Sequence, residues 1–379
     1  MSVWDDLVGQ EPVVAQLTSA ASDGAGLAHA WLFTGPPGAG RTTAARAFAA
    51  ALQCQEVPRG CGHCPSCHQV LQGTHADVKV VRPTGLSYGA DQARKLVLSA
   101  ASSPSGGRWQ IVLFEDAHRA TETATNVLLK AIEEPPARTI WLLCTPSPED
   151  LLVTIKSRCR VVTLRTPPVA AVADALFQRD GVDRDTADLA ARVAQGHIGQ
   201  ARRLATDPEA RGRRAAVMAV PRRLTSVSSA VAAAEAIVKA AADEAQVQSE
   251  ELDEEETSAL RKALGESEKG RMPRGTAGAL KELADRQKSR ATRVRRDALD
   301  RTLLDLASYY RDVLTLQLGA VSELCNVDLA AELRTSAADG RPEDTLRRLD
   351  AIMECRERLE LNVNPQLAVE ALTLALRTG

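Results

Sequence analysis

Four cysteines lie close together in the sequence, in the spacing C-x6-C-x2-C-x2-C, and they make up half of the eight cysteines in the chain. They are Cys54, Cys61, Cys64 and Cys67. Four thiolates at such short spacing suit a tetrahedral Zn²⁺ ion and leave no open coordination position, so the spacing predicts a structural zinc site. Alternatives are a cluster of free thiols, an iron–sulfur cluster, or a site in which one histidine replaces a cysteine, from His63, His68 and His75.

A second motif could bind phosphate. The stretch "GPPGAGRT" at residues 35–42 matches G-x-x-x-x-G-K-[ST] except at one position, where Arg41 replaces the lysine. It lies between the strand-like "AWLF" and an alanine-rich helical stretch, where backbone N–H groups at a helix N-terminus can hold phosphates. Thr42 keeps a hydroxyl for a Mg²⁺ shell, but the planar guanidinium of Arg41 is not equivalent to a compact ammonium. The motif favours nucleotide-binding ancestry without efficient hydrolysis of ATP.

A pair of acidic residues follows another strand-like run, "QIVLF". ATPases with a P-loop place Asp-Glu here, with the aspartate near Mg²⁺ and the glutamate near the attacking water. This chain has the reversed order, Glu115-Asp116. The alternative is that both acids cap the next helix. Together the two motifs predict a degenerate nucleotide site, a candidate for ATP and Mg²⁺, with these residues: Gly35, Gly38, Gly40, Arg41, Thr42, Thr43, Glu115 and Asp116.

The elements that position these motifs alternate between apolar strand-like runs and helical stretches as far as residue 166. Short apolar runs between helices predict an α/β fold with a parallel sheet covered on both faces. We expect this core with its zinc module at 1–166, a small helical domain at 167–210 and an all-helical domain at 211–379. Within the last domain, residues 243–256 hold eight acidic residues and no lysine or arginine. We expect 243–278 to be a charged, flexible segment.

Composition narrows the classes of function. The chain has 379 residues, a formal net charge of −2 and a pI near 6.4, so it lacks the overall positive charge of a protein that binds DNA by itself. The basic stretch from Lys281 to Arg301 keeps a stand-alone, zinc-containing nucleic-acid-binding protein as the weaker alternative. No signal peptide or membrane-spanning run is evident. The expected location is cytoplasmic, with no membrane partner.

Taken together, the motifs resemble those of bacterial DNA polymerase III clamp loader subunits of the AAA+ class. The resemblance rests on "VGQEPVV" at 8–14, the P-loop, the cysteines after its helix, "EDAH", "NVLLKAIEEPP" at 126–136, "SRC" at 157–159 and "LELNVNPQLAVE" at 359–370. It implies an AAA+ core, a helical lid and a helical collar used for oligomerisation. The family contains ATP-hydrolysing motor subunits, called tau or gamma, and a non-motor subunit, called delta-prime.

Three departures favour the non-motor type. A motor subunit has lysine at position 41, Asp-Glu at 115–116 and a lid arginine that senses the γ-phosphate, where this chain has Gly199. The neighbouring arginines at 202 and 203 could compensate only in part, because they point in another direction from the helix. The alternative is a tau/gamma-type motor that hydrolyses ATP despite these changes.

The resemblance also assigns a role to Arg158. In clamp loader rings, the arginine of "SRC" reaches the ATP of the neighbouring subunit as an arginine finger and stabilises charge on the transferring phosphoryl group. We therefore expect Arg158 to be a catalytic residue in trans. The implied partners are tau/gamma and delta subunits in a five-subunit ring, and through the ring the sliding clamp and primed DNA.

Overall fold

The protein is described by a computed structural model that covers residues 2–23, 27–83, 87–263, 277–361 and 363–378. The chain divides into two compact units, Met1–Thr206 and Asp207–Gly379. The expected lid at 167–210 therefore falls almost entirely within the first unit, and the division between the units lies at Thr206.

The first unit is built on a five-stranded parallel sheet with the strand order β2-β3-β4-β1-β5. The strands are β1 Ala30–Thr34, β2 Val78–Val81, β3 Gln110–Phe114, β4 Thr139–Thr145 and β5 Arg160–Thr163. Every residue of β1, β3 and β4 is buried, as expected for strands covered by helices on both faces. The predicted α/β fold, a parallel sheet covered by helices, is confirmed.

Nine helices are described in this unit: α1 Glu11–Asp23, α2 Arg41–Gln53, α3 Pro65–Gln72, α4 Ala90–Ala100, α5 Glu122–Glu133, α6 Val153–Lys156, α7 Val169–Asp180, α8 Arg184–Val193 and α9 Ile198–Thr206. Two apolar clusters cover the two faces of the sheet, one centred on α2 and the other on α4 and α5. In the first cluster, Trp31 of β1 packs edge-on against Phe48 of α2, with ring centroids 4.8 Å apart. This packing fixes α2, and with it the P-loop, on the sheet.

The second unit is helical throughout its described residues. Its helices are α10 Pro208–Met218, α11 Val220–Arg223, α12 Val227–Ala263, α13 Ala277–Gln317, α14 Ala330–Asp339, α15 Pro342–Glu360 and α16 Pro365–Thr378. One apolar cluster joins them, with Leu303, Leu306 and Tyr309 of α13 buried at its centre. The predicted all-α domain is confirmed.

The charged segment at 243–278 differs from the expectation of flexibility. Residues 243–263 continue α12, and residues 277–278 begin α13; the expected connection at 264–276 lies outside the described residues. Arg290 of α13 pairs with Asp253 and Glu256 of α12, and Arg301 pairs with Glu244. Ion pairs thus link the acidic part of α12 to the basic part of α13, two stretches that we expected to be solvated. Two arginines of the basic stretch are engaged within the protein in this way.

Within the described residues, none of the helices combines the length and the apolar content that crossing a membrane requires.

Candidate functional site

The four predicted zinc ligands come together between α2 and α3. Their sulfur atoms all lie within 4.8 Å of one another, with Cys54 Sγ 3.7 Å from Cys61 Sγ and 3.9 Å from Cys64 Sγ. A tetrahedron of Zn–S bonds has edges of about 3.8 Å. The N–H groups of Cys64 and Cys67 point at the sulfurs of Cys61 and Cys64, each at 3.4 Å. The four cysteines fit a structural Zn²⁺ ion.

The pKa values of two of the thiols are shifted in opposite directions. Burial raises the pKa of Cys67, so a cation bound at the cluster would be needed to keep its thiolate. Burial also acts to raise the pKa of Cys54, but backbone hydrogen bonds outweigh it and the pKa is lowered to about 7. Among the described residues, no histidine joins the cluster; the ring of His63 is exposed and its Nδ1 lies 3.1 Å from the Cys61 carbonyl.

The P-loop connects the end of β1 to the start of α2. Gly40, with φ 90°, precedes the first helical residue and provides no side-chain cap, so the first N–H groups of α2 face the loop. Thr42 and Thr43 are half-buried in that first turn. The N–H of Gly35 donates to the Pro146 carbonyl at 3.0 Å and is used within the fold. The N-terminus of α2 therefore keeps the donors that could hold a phosphate.

Arg41 lies in a partly buried, acidic setting. Burial lowers its pKa, and the nearby carboxylates of Asp116 and Asp150 act in the opposite direction. Its Nη1 atom is buried and makes no hydrogen bond to any described residue. The carboxylates of Asp116 and Asp150 thus supply negative charge near the Arg41 guanidinium, as a bound phosphate would.

One member of the acidic pair is engaged by arginines of its own chain. Glu115 is only 12% exposed and receives two arginines, Arg46 of α2 at 3.3 Å and Arg82 after β2 at 2.9 Å. Asp116 has a left-handed backbone (φ 49°), and among the described contacts its side chain makes no capping hydrogen bond to the short helix Ala117–Arg119. The capping alternative is therefore not what this side chain does.

The lid contributes a residue that the sequence analysis missed. His197, just before α9, packs directly against Gly38 of the P-loop. Arg202 of α9 instead pairs with Asp180 at 2.7 Å, so it is engaged within the lid. The sequence offered a weak signal for His197, an imidazole between two glycines in "GHIG", but nothing in that pattern shows which loop it meets.

Arg158 lies at the other end of the sheet. It follows α6 and precedes the first residue of β5, whereas the P-loop follows the last residue of β1. Because β1 and β5 are parallel neighbours, with Trp31 opposite Arg160 and Thr34 opposite Thr163, these two positions lie at opposite edges. A five-residue strand alone separates them by about 13 Å. The fold therefore does not bring Arg158 to the P-loop of its own chain.

The guanidinium of Arg158 is held at the surface. It pairs with Glu133 at the end of α5, and its Nη1 donates to the Thr154 carbonyl at 2.8 Å. Its side chain is 34% exposed. Leu152 and Val153, a few residues before Arg158 in the chain, are exposed apolar residues.

The chain is similar to DNA polymerase III subunits along most of its length. The family model described as DNA polymerase III, delta subunit matches residues 9–168, and the model for the C-terminal part of that subunit matches residues 294–378. Together they match well over half of the chain. The DNA polymerase III subunit delta' of Bacillus subtilis is 26% identical over 99% of both chains.

Motor subunits match over a shorter region. The DNA polymerase III subunit gamma/tau of Mycobacterium bovis is 36% identical over 188 residues, which is 48% of this chain and 32% of that protein. This chain thus spans about a third of the length of such relatives. A solved structure of a DNA polymerase III gamma subunit-related protein from Thermotoga maritima aligns over 97% of this chain and 98% of its own, at 16% identity and a TM-score of 0.42. This TM-score is too low to support a shared fold, so the family assignment rests on the sequence matches. The chain belongs to the DNA polymerase III delta-subunit family that these two models describe, and it is similar to a delta' subunit over its whole length.

Proposed function

We propose that this protein is a non-motor subunit of the DNA polymerase III clamp loader. It assembles with tau/gamma and delta subunits in a pentameric AAA+ ring, and the ring loads the sliding clamp on primed DNA. Within the ring, Arg158 acts as an arginine finger at the ATP site of a neighbouring subunit. The chain itself does not hydrolyse ATP.

The observation that carries this proposal is the placement of Arg158 at the opposite edge of the sheet from the P-loop. A guanidinium that is 34% exposed there can meet a phosphate only on another molecule. Exposed Leu152 and Val153 next to it supply apolar surface for an interface. Support also comes from the match to a delta' subunit over the full chain.

The state of the chain's own nucleotide site supports the non-motor assignment. Glu115 is bound to two arginines inside the fold, so it is not available to polarise water. Backbone N–H groups and Arg41 remain as donors for a phosphate. The residue that would polarise water is thus engaged within the fold, whereas hydrogen-bond donors remain at the P-loop.

The zinc module has a structural part in this proposal. All four candidate ligands are protein thiolates, so a bound Zn²⁺ ion would have no open position for substrate. It would tie the end of α2 to α3 and stiffen the helix whose N-terminus forms the P-loop.

The finger assignment is tested with Arg158→Ala in the reconstituted loader. We expect ATPase stimulated by clamp and primed DNA to fall roughly tenfold or more, because an arginine finger contributes 10³ or more at the site it serves. Assembly should survive, since the Arg158–Glu133 pair is exposed. The matched control is Lys156→Ala, which removes another exposed cation from the same segment, one paired with Glu149. Normal ATPase in an assembled complex with Arg158→Ala would remove the finger role.

A motor subunit is the second candidate, favoured by the open N-terminus of α2 and by 36% identity to gamma/tau over 188 residues. Steady-state ATPase of the isolated chain separates the two. Turnover that disappears in Thr42→Ala would support the motor, whereas we expect none above background.

A further inference from the structure

His197 lies where the lid meets the phosphate-binding loop. A Cβ atom built on Gly38 would be 2.3 Å from Cγ and 2.4 Å from Cδ2 of the His197 ring. No side chain fits at Gly38 while the ring is present, and the φ of +83° at Gly38 also favours glycine. The imidazole is therefore in direct contact with the backbone of the P-loop.

The ring is held in this position by its own helix. The Nδ1 atom of His197 accepts the N–H of Gln200 at 3.2 Å, which caps the start of α9. The His197 carbonyl accepts the N–H of Ala201 at 2.9 Å. Both contacts fix the residue at the first turn of α9, so the ring cannot leave Gly38 without losing its cap.

The same ring fills the space beside Gly199. A Cβ atom at Gly199 would lie 3.5 Å from Cε1 of His197, in ordinary van der Waals contact. Gly199 is the position at which a motor subunit was expected to carry its γ-phosphate-sensing arginine. His197 thus occupies the space between the loop and the helix that should respond to a nucleotide.

The other side of the loop is also tied to the fold. The side chain of Gln10, which is 3% exposed, donates from Nε2 to the Arg165 carbonyl at 2.6 Å and to the Ala39 carbonyl of the P-loop at 3.4 Å. Arg165 follows β5 and leads into the lid helices. Gln10 and His197 therefore connect the loop to the lid through contacts within the protein.

We propose that His197 takes the place of a nucleotide between the P-loop and helices α7–α9. The lid is thereby fixed to the core by protein contacts, and the imidazole excludes the phosphate chain of a nucleotide from Gly38. This inference rests on the proposed function in treating the site as non-hydrolytic, and it names the residue that keeps the site closed.

The test uses the isolated full-length chain and the fluorescent nucleotide N-methylanthraniloyl-ADP with Mg²⁺. His197→Ser removes the ring but keeps an oxygen that can cap α9, so folding should be preserved. We expect this variant to bind the probe at least tenfold more tightly than the wild type. Saturating Mg²⁺–ADP should raise its thermal midpoint while leaving that of the wild type unchanged. The matched control is Gln200→Ala, which keeps the N–H that His197 accepts and should bind like the wild type.

A second measurement tests the contact itself. Gly38→Ala should lower the thermal midpoint by about 5 °C in the wild type, and by only about 2 °C in the His197→Ser background, where backbone strain alone remains. Equal losses in the two backgrounds would overturn the contact. Equal probe affinity in the wild type and His197→Ser would overturn the exclusion, and weaker binding in the variant would make His197 a nucleotide ligand instead. Because the Arg158→Ala test is done in the assembled loader, either proposal can fail while the other stands.

Discussion

The carboxyl ends of the parallel strands form one edge of the central sheet, and their amino ends form the other. Both edges carry arginine and glutamate side chains, but these side chains differ in their burial and in their partners. At the carboxyl edge, Arg41 and Glu115 are partly buried among charges of their own chain, and His197 packs on the loop between them and the lid. At the amino edge, the Arg158–Glu133 pair lies at the surface beside exposed apolar residues. The P-loop, which resembles a catalytic motif, is thus covered by His197, whereas Arg158 is accessible at the surface. Burial and pairing, more than residue type, separate the two edges.

The largest effect is expected at the zinc module, which lies at the end of α2 away from the P-loop. Cys67→Ser should abolish stoichiometric zinc, measured by metal analysis, and lower the thermal midpoint of the first unit by about 10 °C or more, because binding of structural zinc is coupled to folding. Cys355→Ser, in the second unit and outside the cluster, is the control for loss of a buried thiol. Full zinc content in Cys67→Ser would show that the ligand set is wrong.

A smaller effect should distinguish the two edges directly. Glu115→Gln removes a nearly buried carboxylate shared by the partly exposed Arg46 and Arg82, so the free energy of unfolding should fall by about 2 kcal/mol. Glu133→Gln, which removes the carboxylate of the exposed pair, should cost under about 0.5 kcal/mol. Denaturant titration measures both. Equal losses of unfolding free energy in the two variants would show that burial does not distinguish the two edges.

The amino edge also contains one tightly bound carboxylate, at Asp77 just before β2. Burial acts to raise its pKa, but hydrogen bonds from Ser105, Gly106 and Gly107 outweigh it and lower the pKa to about 2. Because the folded-state pKa lies below the usual value, this stabilisation is complete above about pH 4 and is lost as the pH falls through about 2.

We expect that loss to be about 2 kcal/mol of unfolding free energy between pH 4 and pH 2. Asp77→Asn should lower stability at pH 7 and reduce this pH dependence when unfolding is followed by denaturant titration at each pH. The conservative control is Asp285→Asn, which changes an exposed carboxylate of α13. An unchanged pH profile in Asp77→Asn would assign the acid sensitivity to other carboxylates.

Much of the fold followed from short-range patterns. The apolar runs predicted strands that are in fact buried on both faces, and the P-loop lies between β1 and α2 as its context indicated. The flexibility expected for 243–278 stays a prediction for the connection at 264–276, but the charge pattern gave no sign that the acidic α12 and the basic α13 pair as facing helices. Charge within one segment is a poor guide when its partner lies in another.

The local sequence was enough to identify the zinc ligands and the phosphate loop, since chelate spacing and a glycine-rich turn are short-range requirements of the chain. Only the folded structure joined Glu115 to Arg46 and Arg82, and His197 to Gly38. It also put Arg158 at the edge away from its own P-loop. Those contacts join residues that are far apart in sequence. Which residues meet depends on the strand order and on helix packing, and a motif of a few residues does not encode either.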